Sequence, residues 1–292
     1  MTTGILASAS TSYYALSALA VRVHSSVDDG PGVCASTGPS PADPFPRIER
    51  GQGEPVVLLP GMFGQPSNWQ HQLDHLSDGY RVITLDLPLF DPGFSECTVH
   101  GLGDYVRRFL DWAGIARAVL VGNSLGGHVA LDIATRYPSR VRAMVLAGSS
   151  GLFERGFERG VPTRPDRAWI ETRIREVFCH ESSIPAGQGD EIERIVQSRA
   201  NKLRILHWAK SAKRTHMGAL LSRIAAPTLL IWGKQDSITP LEVAVEFLRG
   251  IRHSELVLFN ECGHAPMMEH PARFTEVLRH FLHRHAPVAC DA

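Results

Sequence analysis

The stretch "VLVGNSLGGHVAL", residues 119–131, decides the reading of the fold. It is apolar from Val119 to Val121, passes through Gly122-Asn123-Ser124-Leu125-Gly126-Gly127, and then resumes an apolar pattern at helical spacing. The first run reads as a strand buried on both faces, and the second as a helix. Between them one serine sits with a glycine two residues to either side. A serine hydroxyl becomes a useful nucleophile only when it is exposed beside a base and an anion-stabilising site. A tight strand-to-helix turn supplies that exposure, strains the serine backbone and requires small neighbours, which is the G-x-S-x-G nucleophile elbow. The following helix points its N-terminal N–H groups and positive dipole end at the serine oxygen. Leu125 would donate its backbone N–H to an oxyanion. The turn lacks G-x-G-x-x-G and the lysine of a P-loop, which argues against nucleotide binding.

Outward from this turn, short apolar runs alternate with helical patterns. "PVVLLPG" (55–61), "RVITLDL" (81–87), "AVLVG" (118–122), "RVRAMVLAG" (140–148), "PTLLIWG" (227–233) and "SELVLFN" (254–260) read as strands. Helical patterns cover 69–80, 101–115, 125–138, 240–251 and 271–285. This alternation predicts the α/β class, a mostly parallel sheet sandwiched by helices. Residues 152–226 break it. "RAWIETRIREVF" and "DEIERIVQSRANKLRILHWAKSAKR" read as helices, the second with Ile192, Ile195, Val196, Leu203 and Leu206 on one stripe. At the carboxyl edge of a parallel sheet such an insertion is expected to be a helical cap, with an ordinary extra helical layer as the alternative. Phe153, Phe157, Trp169, Phe178 and Trp208 are its aromatic contributions to a cleft. Its 14 Lys and Arg against 9 Asp and Glu read as a solvated helical surface. The expected division is a flexible leader and linker over 1–46, a core over 47–151 and 227–292, and the cap over 152–226.

The 292 residues are 43% hydrophobic, enough for one sizeable core. Thirty Lys and Arg balance thirty Asp and Glu, so the charge leaves no electrostatic footprint for nucleic acid or an anionic membrane. The five cysteines form no CxxC pair, so neither a disulfide framework nor a thiolate zinc site is indicated. No apolar run reaches the ~18 residues that span a bilayer. "ILASASTSYYALSALA" ends in a cleavage-like Ala18-Leu19-Ala20, but no Lys or Arg precedes it and serines and threonines dilute it. A leader is the reading taken, with a cytoplasmic location and a monomer or homodimer expected.

A serine nucleophile of this fold needs a carboxylate and then a histidine downstream. "LLIWGKQDSITP" places Asp236 just past a strand, and "FNECGHAPMMEHP" places His264 just past the next. His264 would take the proton from Ser124, and Asp236 would fix the imidazole tautomer and stabilise its cation. With "VVLLPGMFG", "DLPLFDPGFS", "GNSLGG" and "CGHAPMMEHPARF", these stretches resemble the serine-dependent α/β-hydrolase-fold enzymes over roughly residues 47–285. The resemblance implies an α/β-hydrolase fold with a helical cap and no metal or organic cofactor. It implies a second oxyanion donor after the first parallel strand, here the backbone N–H of Met62 following Pro60-Gly61. It also implies a structural role for Asp86. The family's other acid position, after the strand ending "AGSSG", contains no carboxylate, which favours Asp236.

The expected reaction is hydrolysis of a small-molecule carboxylic ester, with Phe63, Asn123 and Ala265 as substrate contacts. Asn123 either touches substrate or holds the turn. One alternative is a carbon–carbon hydrolase of dienoic keto acids, which usually has a tryptophan where this chain has Ala265 and a glycine-rich loop where it has Met62 and Phe63. A non-catalytic ligand receptor on the same fold is the other. His71 and His75 lack the glutamate of a zinc-protease motif and read as a helix face. Cys262 and His128 read as buried packing, and the C-terminal histidines as an exposed helix end.

Overall fold

The computed structural model describes residues 43–154, 162 and 165–287. Seven strands form one sheet: β1 (Arg47–Arg50), β2 (Glu54–Leu59), β3 (Tyr80–Leu85), β4 (Ala118–Asn123), β5 (Val141–Ala147), β6 (Thr228–Gly233) and β7 (Ser254–Phe259). Their order is β1-β3-β2-β4-β5-β6-β7. All neighbours pair in parallel except β1, which runs antiparallel to β3 from Arg47 opposite Leu85 to Arg50 opposite Val82. All six residues of β4 and of β6 are buried, the pattern of strands covered by helices on both faces. β1 was not among the expected strands. Its sequence, "RIER", is charged, and as an edge strand it buries little. The same charges pair across the edge, where Arg81 meets Glu49 at 2.6 Å.

The covering helices are α1 (Gln70–Leu76), α2 (Val99–Trp112), α3 (Leu125–Arg136), α7 (Leu241–Gly250), the short α8 (Pro266–Glu269) and α9 (Pro271–His285). One face of the sheet packs on α2, α3 and α7 through residues such as Phe109, Val129 and Phe247. The other packs on α1 and α9 through Leu73, Phe274 and Phe281. Full burial of each such side chain contributes roughly 1.5–3 kcal/mol, so these layers hold the sheet edge in place.

Between β5 and β6 lie α4 (Arg167–Val177), α5 (Gln188–Gln197) and α6 (Arg199–Arg214), which bury a small core of their own around Ile170, Ile174, Ile192, Val196 and Ile205. The single helix read across 190–214 is two. Ser198 adopts an extended φ of −72° and ψ of 123°, and its side chain accepts the Asn201 N–H at 3.3 Å to start α6. The break resets the helical phase. Ile192 and Val196 stay buried, but Leu203 becomes exposed and Ile205 and Trp208 take the inward positions.

The expected linker ends earlier than residue 46. Phe45 is buried with its ring 5.1 Å from Tyr105 and 5.7 Å from Phe109. The Asp86 backbone N–H donates to the Pro46 carbonyl at 2.9 Å. The rest of the expected leader, through residue 42, lies outside the described residues. Among the described residues no helix is long and apolar enough to cross a membrane.

Candidate active site

Ser124 stands between β4 and α3 with φ 52° and ψ −120°, a conformation that non-glycine residues adopt at a cost of about 1–3 kcal/mol. Its neighbours hold it there. The Ser124 N–H donates to Ala147 at 3.2 Å, and its carbonyl accepts from His128 and Ser150 at 3.1 Å each. A Cβ on Gly122 would overlap the Gly126 carbonyl, and one on Gly126 would overlap the Leu59 carbonyl. The glycines flanking the serine are therefore demanded by backbone packed against backbone. The turn presents the serine at the N-terminus of α3.

His264 and Asp236 come from the loops after β7 and β6. His264 Nδ1 lies 2.9 Å from Asp236 Oδ2. Asp236 Oδ1 accepts the N–H groups of Ile238 and Thr239 at 2.9 Å each, and Oδ2 accepts the Thr239 hydroxyl at 2.8 Å. This leaves His264 Nε2 as the nitrogen available to a substrate-side group. Both residues are almost fully buried. Burial pulls the His264 pKa down, but the Asp236 charge and hydrogen bond, together with the charges of Glu154 and Glu269, push it above the ordinary imidazole value of 6.5.

Ser124 and His264 line one cleft of about 150 Å³. Met62, Phe63 and Trp69 form part of its core-side wall, and Trp169, Ile174, Phe178 and Ile192 its wall from the inserted segment. Of the five aromatics expected from that segment, Trp169 and Phe178 reach the cleft. Phe153 is exposed, and Trp208 is buried beneath the β3–α2 loop with its indole N–H on the Leu89 carbonyl at 3.1 Å. Phe157 lies outside the described residues. Arg173 lines the cleft with its guanidinium 2.6 Å from Glu176, which also lines it.

The smaller expectations divide. Met62 lines the cleft, and Leu125 follows the serine directly as the first residue of α3. Phe63 also lines it, stacked 6.1 Å from Phe90. Asn123 lines it as well, but its amide N–H groups donate to the carbonyls of Ala147 and His264 at 2.9 Å each, so it ties the serine turn to the histidine loop. Ala265 is buried in the core cluster shared with α1 and α9 and is not among the cleft residues, whereas Met267 and Met268 of α8 line the cleft. Cys262 is buried and its thiol pKa is pushed up, first by burial and then by Glu269 and Asp236, which suits packing. His128 is buried, held below the usual range at about 4, and bonded through Nε2 to the Thr215 carbonyl at 2.7 Å. The His71 and His75 rings stack at 4.0 Å, and His71 meets Thr275 at 2.9 Å.

Two carboxylates that act on His264 were missed. Glu154 lies three residues beyond "AGSSG". Its pKa is raised by burial, against the lowering effect of a hydrogen bond to Ser150 and the His264 charge. Glu269 lies within "CGHAPMMEHP", five residues after His264, and that proximity was its only sequence signal.

The profile of the alpha/beta hydrolase family matches residues 56–277, from β2 into α9. This chain belongs to the α/β hydrolase family. It is 32% identical to an alpha/beta hydrolase enzyme from the metagenome of sediments from the lagoon of Mar Chica, Morocco, with a TM-score of 0.69 over 84% of this chain and 97% of that one. It is 26% identical to a thermophilic esterase from Thermogutta terrifontis, with a TM-score of 0.64 over 83% and 94% of the two chains. It is 29% identical over 258 residues, 80% of its length and 89% of the relative's, to the 2-hydroxy-6-oxononadienedioate/2-hydroxy-6-oxononatrienedioate hydrolase of Escherichia coli (strain K12). In this α/β hydrolase, serine, histidine and aspartate are carried by three loops at one edge of the sheet, an arrangement able to activate a hydroxyl beside a helix N-terminus.

Proposed function

We propose that this α/β hydrolase cleaves carboxylic esters of small to medium, uncharged hydrophobic compounds through an acyl-serine intermediate. Ser124 Oγ attacks the ester carbon as His264 Nε2 takes its proton. Asp236 holds the imidazole and stabilises its cation. The N–H groups of Met62 and Leu125 receive the oxyanion. His264 then protonates the departing alcohol. A water attacks the acyl-enzyme, again by way of His264, and releases the acid and Ser124.

The observation that carries the substrate class is the charge balance of the cleft. The remaining lining is largely apolar, and Arg173, the cation lining it among the described residues, is paired with Glu176. An uncharged ester needs no counter-charge there, whereas a dicarboxylate would have to compete for Arg173. The volume supports a short acyl or alcohol part, since ~150 Å³ is a benzene-sized space. The inserted helices act in this reading as a cap that keeps the pocket finite.

The second reading is carbon–carbon hydrolysis of a dienoic keto acid, supported by the similarity to the oxononadienedioate hydrolase. Against it stand the Arg173–Glu176 pair, the buried Ala265, and Met62 and Phe63 in the oxyanion loop. The test is a panel of short-chain and long-chain aryl esters and a keto dienoate, given to the purified protein. The highest kcat/KM is expected on short to medium esters. A dienoate turned over more efficiently than every ester would replace this reading by the second, and no turnover of either would leave the receptor.

A further inference from the structure

Glu269 closes a junction that the triad does not include. It ends α8, and its side chain folds back over the loop that carries His264. Oε1 accepts the Gly263 N–H at 2.8 Å and the Ala265 N–H at 3.4 Å, so the carboxylate grips the backbone on both sides of the histidine. The Cys262 thiol donates to the same oxygen at 3.8 Å. Oε2 accepts the Cys179 N–H at 2.7 Å, which belongs to the chain leaving α4. The last turn of α4 makes two further ties. The Val177 carbonyl accepts the His264 N–H at 2.7 Å, and the Glu176 carbonyl accepts the Ser237 hydroxyl at 2.8 Å, next to Asp236. A Cβ on Gly263 would meet the Val177 carbonyl, the Cys179 nitrogen and Glu269 Oε1 together, so the three segments touch without room for a side chain.

Resting on the triad reading above but not on the choice of ester, we propose that Glu269 is a positioning residue that locks the His264 loop to the end of α4, making the placement of the catalytic base depend on the inserted helices. Four donors converge on one carboxylate, and charge-assisted bonds of this kind are about twice as strong as neutral ones. The same helix end lines the cleft through Ile174, Val177 and Phe178, so a substrate pressing on this wall presses on the segment that holds His264. The charge also acts at a distance. The ionisable groups that raise the His264 pKa are Asp236 from the loop after β6, Glu154 from the loop after β5, and Glu269 from α8. Removal of the Glu269 charge therefore moves the acid limb of activity to lower pH.

The test uses the full-length protein with Glu269→Gln and Glu269→Ala. It reads the rate at which an aryl fluorophosphonate labels Ser124 as a function of pH, the thermal midpoint, and kcat and KM on an aryl ester. Misplacing the base by an ångström lowers a rate by about 10²-fold, so Glu269→Ala should slow labelling and kcat on that scale while KM changes by less than about threefold. Glu269→Gln keeps one acceptor oxygen and should lose less rate, yet show the same downward shift of the acid limb. If Glu269→Ala does not fold, the shift in Glu269→Gln alone decides. A wild type that labels normally and Glu269→Gln with an unmoved acid limb, whatever its thermal midpoint, would overturn the positioning role alone. An unlabelled wild type would overturn the triad reading and this proposal with it.

Discussion

The serine turn and the inserted helices are built in opposite ways. Around Ser124, backbone lies directly on backbone, and Gly122 and Gly126 leave no space for even one added carbon. The helices α4 and α5 instead meet through a handful of aliphatic side chains and are laced at the surface by Arg167 with Asp190 and Glu193. Exposed ion pairs of that kind contribute little to stability. In the proposed reading, chemistry sits on the closely packed turn and substrate selection on the loosely packed helices. Glu269 is where the two are joined.

Removal of the Ser124 hydroxyl is the sharpest way to separate these regions. Ser124→Ala should leave the fold intact, abolish fluorophosphonate labelling and lower kcat by about 10⁶-fold. Retention of more than about a tenth of the activity is incompatible with a serine route. Asp236→Asn comes next, with kcat expected to drop by about 10⁴-fold as the imidazole tautomer is misplaced. In the proposed mechanism only neutral His264 accepts the serine proton. Because its pKa is raised, wild-type activity should fall away on acidification from a point above pH 6.5, and the variant's residual activity should hold to lower pH. An acid limb that stays in place in Asp236→Asn would break the assignment.

On the side of the inserted helices the effects should be smaller and selective. Each added CH₂ that finds buried space contributes ~0.8 kcal/mol, so kcat/KM should rise about fourfold per carbon along an acyl series until the cleft is full. Ile192→Ala should move that optimum one or two carbons longer with kcat on short esters little changed. Activity that climbs through the longest chains, above all at a lipid interface, would mean that the wall does not close the pocket. The mildest change is Ser198→Ala, which removes the cap of α6. It should lower stability by about 1 kcal/mol in a denaturant titration and leave kcat within a factor of two. A large kcat loss there would show that α6 reaches the chemistry.

Much of this arrangement was legible from residue order. The elbow could be read because its glycines and serine are neighbours in sequence, and local backbone crowding leaves a local signature. Asp236 and His264 followed because parallel strands bring successive carboxyl ends to one edge. Other features carried no local mark. The break at Ser198 lies inside a good helical pattern, since its neighbours Gln197 and Arg199 are ordinary helix formers. Phe45 reads as part of a proline-rich linker until Tyr105 and Phe109 are folded beneath it.

By itself, the order of residues determined the sheet of buried apolar runs, the strained serine turn and the order in which Ser124, Asp236 and His264 reach one sheet edge, because each depends on periodicity or on contacts a few positions apart. Only the tertiary structure decided what surrounds them: Asn123 and Glu269 as ties between loops, Ala265 in the core, Arg173 paired with Glu176, and α4 bonded to the histidine loop. A hydrogen bond between residues 90 positions apart, such as that from the Cys179 N–H to Glu269, leaves no periodicity in the chain. It exists only once the packing of both layers has brought donor and acceptor together.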